Sequence, residues 1–272
     1  MTLLAIEGVG RRFPNGTEAL RDATLAIAPG DFVALLGPSG CGKSTLLRLI
    51  AGLDAPDSGA LRWAGGPPGA GEIGFVFQDA TLLPWATAEE NVWLPLRLRG
   101  VSRECARGEV RAALARVGLS GFEGARPREL SGGMRMRVSI ARALVGRPRV
   151  LLMDEPFAAL DEFTRHALQD DLLALWRELA CTVVFVTHSI YEAAFLARRI
   201  VVMTPRPGRI ATELASPLAP EPATRFTAEY GALVREVTDV LSAAMAPALS
   251  ATMAPALSAT MAPALSAATY PA

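Results

Sequence analysis

Nine consecutive residues hold the densest chemistry in the chain: Gly37-Pro38-Ser39-Gly40-Cys41-Gly42-Lys43-Ser44-Thr45. They match G-x-x-x-x-G-K-[ST], and both flanks have the form that pattern requires. The apolar run Phe32-Val33-Ala34-Leu35-Leu36 before them reads as a buried strand, and Leu46-Leu47-Arg48-Leu49-Ile50-Ala51 after them reads as a helix. Glycines let the backbone curl until successive N–H groups converge on an anion. The helix that follows adds unpaired N–H groups and the positive end of its dipole. Lys43 is placed to reach the β- and γ-phosphates of a nucleotide, and Ser44 to put a hydroxyl on Mg²⁺. A nucleoside triphosphate site is the expectation.

Further candidates lie downstream. Asp154-Glu155 closes the apolar run Val150-Leu151-Leu152-Met153. One carboxylate at a strand end suits a water-held Mg²⁺, and the next suits polarising an attacking water. Adjacent acids at a strand end also occur as plain solvated turns. Ser131-Gly132-Gly133 opens a helical pattern with little side-chain bulk and several free N–H groups, which suits a second anion. Alone, it reads equally well as an ordinary serine N-cap. His188 ends another apolar run, where a satisfied core imidazole is the plain alternative.

The elements that must position these groups alternate. Residues 1 to about 30 alternate apolar and polar positions around turn chemistry at Pro14-Asn15-Gly16 and Pro29-Gly30, which predicts antiparallel strands. Ile73 to Phe77 is a short strand that ends at Gln78-Asp79. From about 86 to 146 the pattern is helical, broken near Arg126-Pro127, with Met134, Val138, Ala141 and Val145 on one stripe. Phe163 to about Leu179 is an amphipathic helix, and strands follow at Thr182–Thr187 and Ile200–Thr204. Strands that alternate with helices and carry reactive residues at their C-terminal ends predict an α/β fold with a mainly parallel sheet. It would carry an N-terminal antiparallel β subdomain and an inserted helical subdomain over about 86–146. The ATP-binding unit is expected over 1–240. Beyond it, an eight-residue repeat starting at Met245, Met253 and Met261 places Pro247, Pro255 and Pro263 once per unit. Such a tail over 241–272 is expected to stay disordered.

Composition narrows the function classes. Lys and Arg together number 27 and so do Asp and Glu, so no global charge draws the chain to nucleic acid or an anionic bilayer. Three widely spaced cysteines argue against a disulfide framework and fit a reducing compartment. Cys41, inside the phosphate loop, is a candidate for alkylation, or simply a small residue that fits. No basic-then-apolar leader opens the chain, and no apolar run in the folded part approaches the roughly 20 residues needed to span a bilayer. The expectation is a protein that meets a membrane only through a partner.

Kinases, GTPases, helicases and transport ATPases share phosphate loops, so the other motifs decide among them. Leu130-Ser131-Gly132-Gly133-Met134 precedes the acidic pair, Asp161 follows it in Ala159-Leu160-Asp161, and Gln78 and His188 each end a strand. In this order, over roughly residues 3 to 215, the chain resembles the ATP-binding subunit of ABC transporters. That family commonly has Gln where Met134 stands. The resemblance implies ATP and Mg²⁺ as ligands, with Ser44, Gln78 and Asp154 around the metal and Glu155 as general base. It implies that His188 contacts the γ-phosphate and steadies the water, and that Gln78 also senses a membrane partner. Phe13, where the family often has Tyr, would stack on adenine, since stacking needs only the ring. Asp161 joins the nucleotide set. Ser131, Gly132 and Gly133 would face the nucleotide of a second copy, so that ATP holds a head-to-tail homodimer together.

Finer features point within the family. Leu83-Pro84-Trp85-Ala86-Thr87, Glu90-Asn91-Val92, Met134-Arg135, Asp161-Glu162-Phe163-Thr164-Arg165 and Pro205-Arg206-Pro207-Gly208-Arg209-Ile210 look like the nitrate/sulfonate/taurine import group. Pyrimidine-precursor importers share much of this. The group implies two transmembrane permease subunits, docked near Gln78 and an exposed Leu82-Leu83-Pro84-Trp85 segment. A periplasmic or lipid-anchored solute-binding protein would act indirectly, with this subunit peripheral on the cytoplasmic face of the inner membrane. The rival class is a nucleic-acid-linked ABC ATPase. It needs coiled-coil insertions, tandem cassettes or a broad basic patch, and the chain has room or charge for none of them. A small-molecule kinase leaves Ser131-Gly132-Gly133 and His188 unexplained.

Overall fold

A computed structural model describes residues 1–219 and 221–258. Two sheets carry the chain. The smaller is antiparallel, in the order β2-β1-β4, with β1 at Leu4–Arg12, β2 at Glu18–Ile27 and β4 at Ser58–Trp63. The larger runs β5-β6-β7-β3-β8-β9, with β3 at Phe32–Leu36, β5 at Ile73–Val76, β6 at Val150–Asp154, β7 at Thr182–Thr187, β8 at Arg199–Met203 and β9 at Ile210–Ala215. All its pairings are parallel except β8–β9. This is the mainly parallel α/β sheet with an N-terminal antiparallel unit that the strand pattern predicts. The strands β4 and β9 and the short helix α6 are additions to it. The strand β9 is an edge with only every second residue half-buried, so its signal is short and weak.

The central strand shows why its sequence is apolar throughout. All five residues of β3 are buried. Phe32, Ala34 and Leu36 point into one core, while Val33 and Leu35 point into another. Side chains alternate faces along a strand, so a strand covered on both sides has no polar position. The second core is closed by the small sheet and by α1 (Lys43–Ile50), through Leu46, Leu47 and Ile50. The first is closed by α2 (Ala88–Leu98), α3 (Arg103–Arg116), α4 (Gly132–Leu144), α5 (Glu162–Leu179), α6 (Ile190–Leu196) and α7 (Ala228–Ser258).

Between β5 and β6 the chain is helical, as predicted, with a short 3-10 turn at Pro127–Glu129 where the break was expected. Each helix there opens on a side-chain cap. Thr87 forms a reciprocal capping box with Glu90, Ser102 caps Cys105 N, and Ser131 accepts from Met134 N at 3.2 Å.

The described part of the chain ends in a helix. Helix α7 crosses residue 240 and runs through Pro247 and Pro255 to Ser258, so residues 241–258 are helical. Leu233 and Val237 anchor it in the first core, with Leu241 and Ala244 packed alongside. The repeat supplies Ala, Leu and Met, which are strong helix formers, and Pro247 and Pro255 each remove one donor without stopping the helix. The last unit of the repeat, from Met261 to Ala268, lies outside the described residues. Among the described residues no helix is long and apolar enough to cross a membrane.

Candidate functional site

Parallel strands deliver their C-terminal ends to one edge of a sheet, and that edge collects the candidates here. The phosphate loop leaves β3, Asp154 and Glu155 leave β6, His188 leaves β7, and Gln78 follows β5, whose last residue Val76 pairs with Met153. Strand β7 separates β3 from β6, so α1 reaches across it. Ser44 Oγ donates to Asp154 Oδ1 at 2.7 Å, joining residues 110 apart in the chain.

The loop is held from within and from behind. Lys43 is buried, and its Nζ donates to the carbonyls of Gly37 at 2.8 Å and Pro38 at 2.9 Å. This curls the loop around its own ammonium group. Gly42 has φ 108°, and a Cβ there would lie 2.6 Å from Ala19 O, so only glycine fits beneath the start of α1. Cys41 is 1% exposed, and burial pushes its thiol pKa up. Burial disfavours its thiolate, which fits the reading of a small residue that packs in the loop.

A cleft of about 340 Å³ opens over this loop. Ser39, Gly40, Gly42, Lys43, Ser44 and Thr45 form its floor, Phe13 and Asn15 one wall, and Glu155 and Arg206 further sides. Phe13 is half-buried, with the Arg11 guanidinium 5.6 Å from its ring centre.

The acidic pair divides by environment. Asp154 is half-buried, and burial pushes its carboxyl pKa up; the Ser44 hydroxyl opposes this shift and the neighbouring Glu155 charge adds to it. Glu155 has left-handed backbone, φ 47°, held by its N–H donating to Val186 O at 3.1 Å. A non-glycine residue there carries strain of about 1 to 3 kcal/mol, a kind that gathers at functional sites. The turn aims the side chain at His188, whose Nδ1 lies 3.1 Å from Glu155 Oε2. The imidazole is exposed, so the core-histidine alternative does not hold.

Behind His188, the buried carboxylate of Glu192 accepts from Thr187 Oγ1, and Arg165 lies 3.7 Å from it. Arg165 also donates to the carbonyls of Phe157 and Leu160, tying the turn after Glu155 to the end of β7. Hydroxyl, carboxylate and amide oxygens at Ser44, Asp154 and Gln78 are a hard donor set that fits Mg²⁺, which keeps waters and phosphate in its shell and needs few protein ligands. Among the described residues no group of three or more His, Cys, Asp or Glu is placed to hold a metal ion by itself.

Asp154 and His188 adjoin the cleft through Ser44 and Glu155, and Gln78 follows the neighbouring strand end. Among the described lining residues there is none of Ser131, Gly132, Gly133 or Asp161. Ser131 and Gly132 are exposed at the start of α4. Gly133 is buried, and a Cβ on it would lie 2.4 Å from Thr164 Cγ2. Its lack of a side chain makes room for α5. Asp161 caps α5, with Oδ1 accepting from Thr164 N at 2.9 Å, and that N–H holds the carboxyl pKa low. Of the segment expected to be exposed, Pro84 and Trp85 are, Trp85 at 71%, while Leu82 and Leu83 are half-buried and Leu82 packs on the core. Arg206, Asn15, Thr17 and Ala19 also line the cleft, a role that no sequence motif assigned to them.

A glycine-rich loop between a buried parallel strand and a helix, with a strand-end acid hydrogen-bonded to its serine, defines a P-loop nucleotide-binding protein. The model of the ABC transporter family matches residues 20–158. The taurine import ATP-binding protein TauB of Chromobacterium violaceum is 48% identical over 223 residues, covering 80% of this chain and 85% of that protein. An uncharacterized ABC transporter ATP-binding protein of Methanocaldococcus jannaschii is 44% identical over 230 residues, 84% of this chain and 85% of that one. Among solved structures, the dimeric post-hydrolysis state of the ATP-binding cassette MJ0796 bound to ADP and Pi aligns with TM-score 0.71 and 34% identity, over 80% of this chain and all of that one. The chain belongs to the ABC transporter family, as an ATP-binding, ATP-hydrolysing subunit.

Proposed function

We propose that the chain powers an importer for a small sulfonate of the taurine type, by closing as a homodimer on two ATP molecules and reopening after hydrolysis. The sequence likeness to taurine import ATP-binding proteins from several bacteria, at 46–48% identity over most of the chain, carries the solute class. The solute need not touch this subunit. Two transmembrane permease subunits would carry it, after a solute-binding protein presents it, with this chain on the cytoplasmic face of the membrane.

Within one copy, the loop N–H groups and Lys43 bind the triphosphate, and Phe13 stacks on the base. Ser44, Asp154 and Gln78 would hold Mg²⁺. When bound, that ion neutralises charge between the β- and γ-phosphates. Glu155 takes a proton from the attacking water as the new P–O bond forms and the bond to the ADP oxygen breaks, while His188 steadies the carboxylate and the γ-phosphate. Ser131, Gly132 and Gly133 do not line the cleft of their own copy, and the first two are exposed, which supports their facing the nucleotide of the other. Gly133 supports that loop by letting α4 sit against α5.

Replacing Glu155 with Gln tests the assignment. Steady-state ATP turnover should fall about 100-fold or more, the range for losing a general base, while ATP binding persists and a nucleotide-held dimer accumulates. Undiminished turnover removes Glu155 from the role. Taurine-dependent ATPase in vesicles with the cognate permease tests the solute.

A further inference from the structure

The turn between β8 and β9 sits against the phosphate loop, though the chain separates them by more than 160 residues. Thr204 N donates to Arg209 O at 3.0 Å and Arg209 N to Thr204 Oγ1 at 3.0 Å, which closes the turn on itself. Gly208 N donates to Ala19 O at 2.9 Å, and Arg21 N to Gly208 O at 3.0 Å, which fastens it to β2. Its backbone presses on the cradle: a Cβ on Gly208 would lie 2.0 Å from Cys41 O. From the tip, the Arg206 guanidinium donates through Nε at 3.0 Å and Nη2 at 2.9 Å to a single acceptor, Gly40 O.

We propose that Thr204–Arg209 is a strap that keeps the phosphate loop in its nucleotide-ready shape, and that Arg206 is a positioning residue that sets nucleotide affinity. This rests on the nucleotide-binding reading above. The carbonyl of Gly40 and the N–H of Cys41 share one planar peptide, so fixing the carbonyl fixes the N–H on its opposite side. That N–H donates to Pro38 O at 3.3 Å, so the peptide that Arg206 grips also closes the curl of the loop. A cradle of converging N–H groups binds anions well only if its peptides are held in place before the ligand arrives, because otherwise their ordering opposes binding. Nη1 of Arg206 has no hydrogen bond among the described residues, and the side chain lines the cleft, so the strap also brings a positive charge to the rim of a polyphosphate site.

The test is titration of the purified chain with MgATP and MgADP, alongside ATPase kinetics and melting of the ligand-free protein. Arg206→Ala should raise Kd for both nucleotides about tenfold, with KM rising more than kcat falls. Arg206→Lys, which keeps the charge and loses the two-pronged contact, should fall between. Melting without ligand should move by no more than about 2 °C, since the contact lies at the surface. Gly208→Ala, which must push the turn off Cys41, should reproduce the affinity loss by a different route. Unchanged affinity in Arg206→Ala overturns the proposal, as does an affinity loss matched by an equal loss of ligand-free stability. If the wild-type chain itself fails to bind MgATP, the nucleotide reading falls instead.

Discussion

At the scale of single residues, the site is poised for a ligand that reverses its electrostatics. Burial disfavours ionised Asp154, so the folded chain binds that proton more tightly than the unfolded one. Stability on this account is greatest at low pH and is lost as pH rises through the raised folded value. Asp154→Asn removes the penalty and leaves an amide oxygen to accept from Ser44. Without ligand, the variant should melt about 2 °C above wild type at pH 8. The gap should close as pH falls toward the unfolded carboxyl value, about 3.9. With MgATP the order should invert, because wild type gains more from the ligand. Calorimetry at several pH values, with and without MgATP, reads both signs; an Asn variant less stable at pH 8 without ligand would contradict the account.

At the scale of elements, two helices share one glycine. Gly133 has helical backbone, where Ala is ordinarily better by about 1 kcal/mol. Thr164 occupies the space an alanine methyl would need, and it is β-branched with few rotamers to retreat into. Gly133→Ala should therefore destabilise, by about 1 to 3 kcal/mol, and should lower ATPase by shifting Asp161 against α4. Adding Thr164→Ser removes the obstructing methyl and should restore or exceed wild-type stability in urea unfolding. If the single variant proves more stable than wild type, the packing role fails.

Elements also show where sequence reading stopped. The strands β3, β6 and β7 were legible as continuous apolar runs because both their faces are buried. The strand β4, with no buried residue, and the seven-residue α6, nearly all apolar, carry no clear period and were not read. Helix α7 overrode its prolines because packing begins well before the repeat.

At the scale of the whole molecule, large apolar side chains stand uncovered. Leu98, 79% exposed, lines a groove of about 300 Å³ with Phe75, Phe77, Leu94 and Pro95, and Trp85 is 71% exposed. Gln78 lies in sequence between Phe77 and Trp85, so a permease seated on Trp85 would be close in the chain to the end of β5, which pairs with β6. An apolar anchor of this size contributes on the order of 2 kcal/mol, so Trp85→Ala should weaken assembly with the permease about 30-fold. Pull-down from detergent would show this, and full recovery of the complex would argue for docking elsewhere.

The sequence by itself determined the chemistry of the phosphate loop, the serine cap of α4, the acids at the end of β6 and the α/β class. Each depends on residues close in the chain, where spacing and periodicity report backbone shape directly. Tertiary structure alone decided that β7 lies between β3 and β6, which sets the Ser44–Asp154 contact. It also decided that Arg206 reaches Gly40, that Thr164 fills the space beside Gly133, and that Ser131 stands outside its own copy's cleft. Strand order and the approach of distant turns follow from how two cores close around one sheet, and no local pattern of residue types encodes that closure.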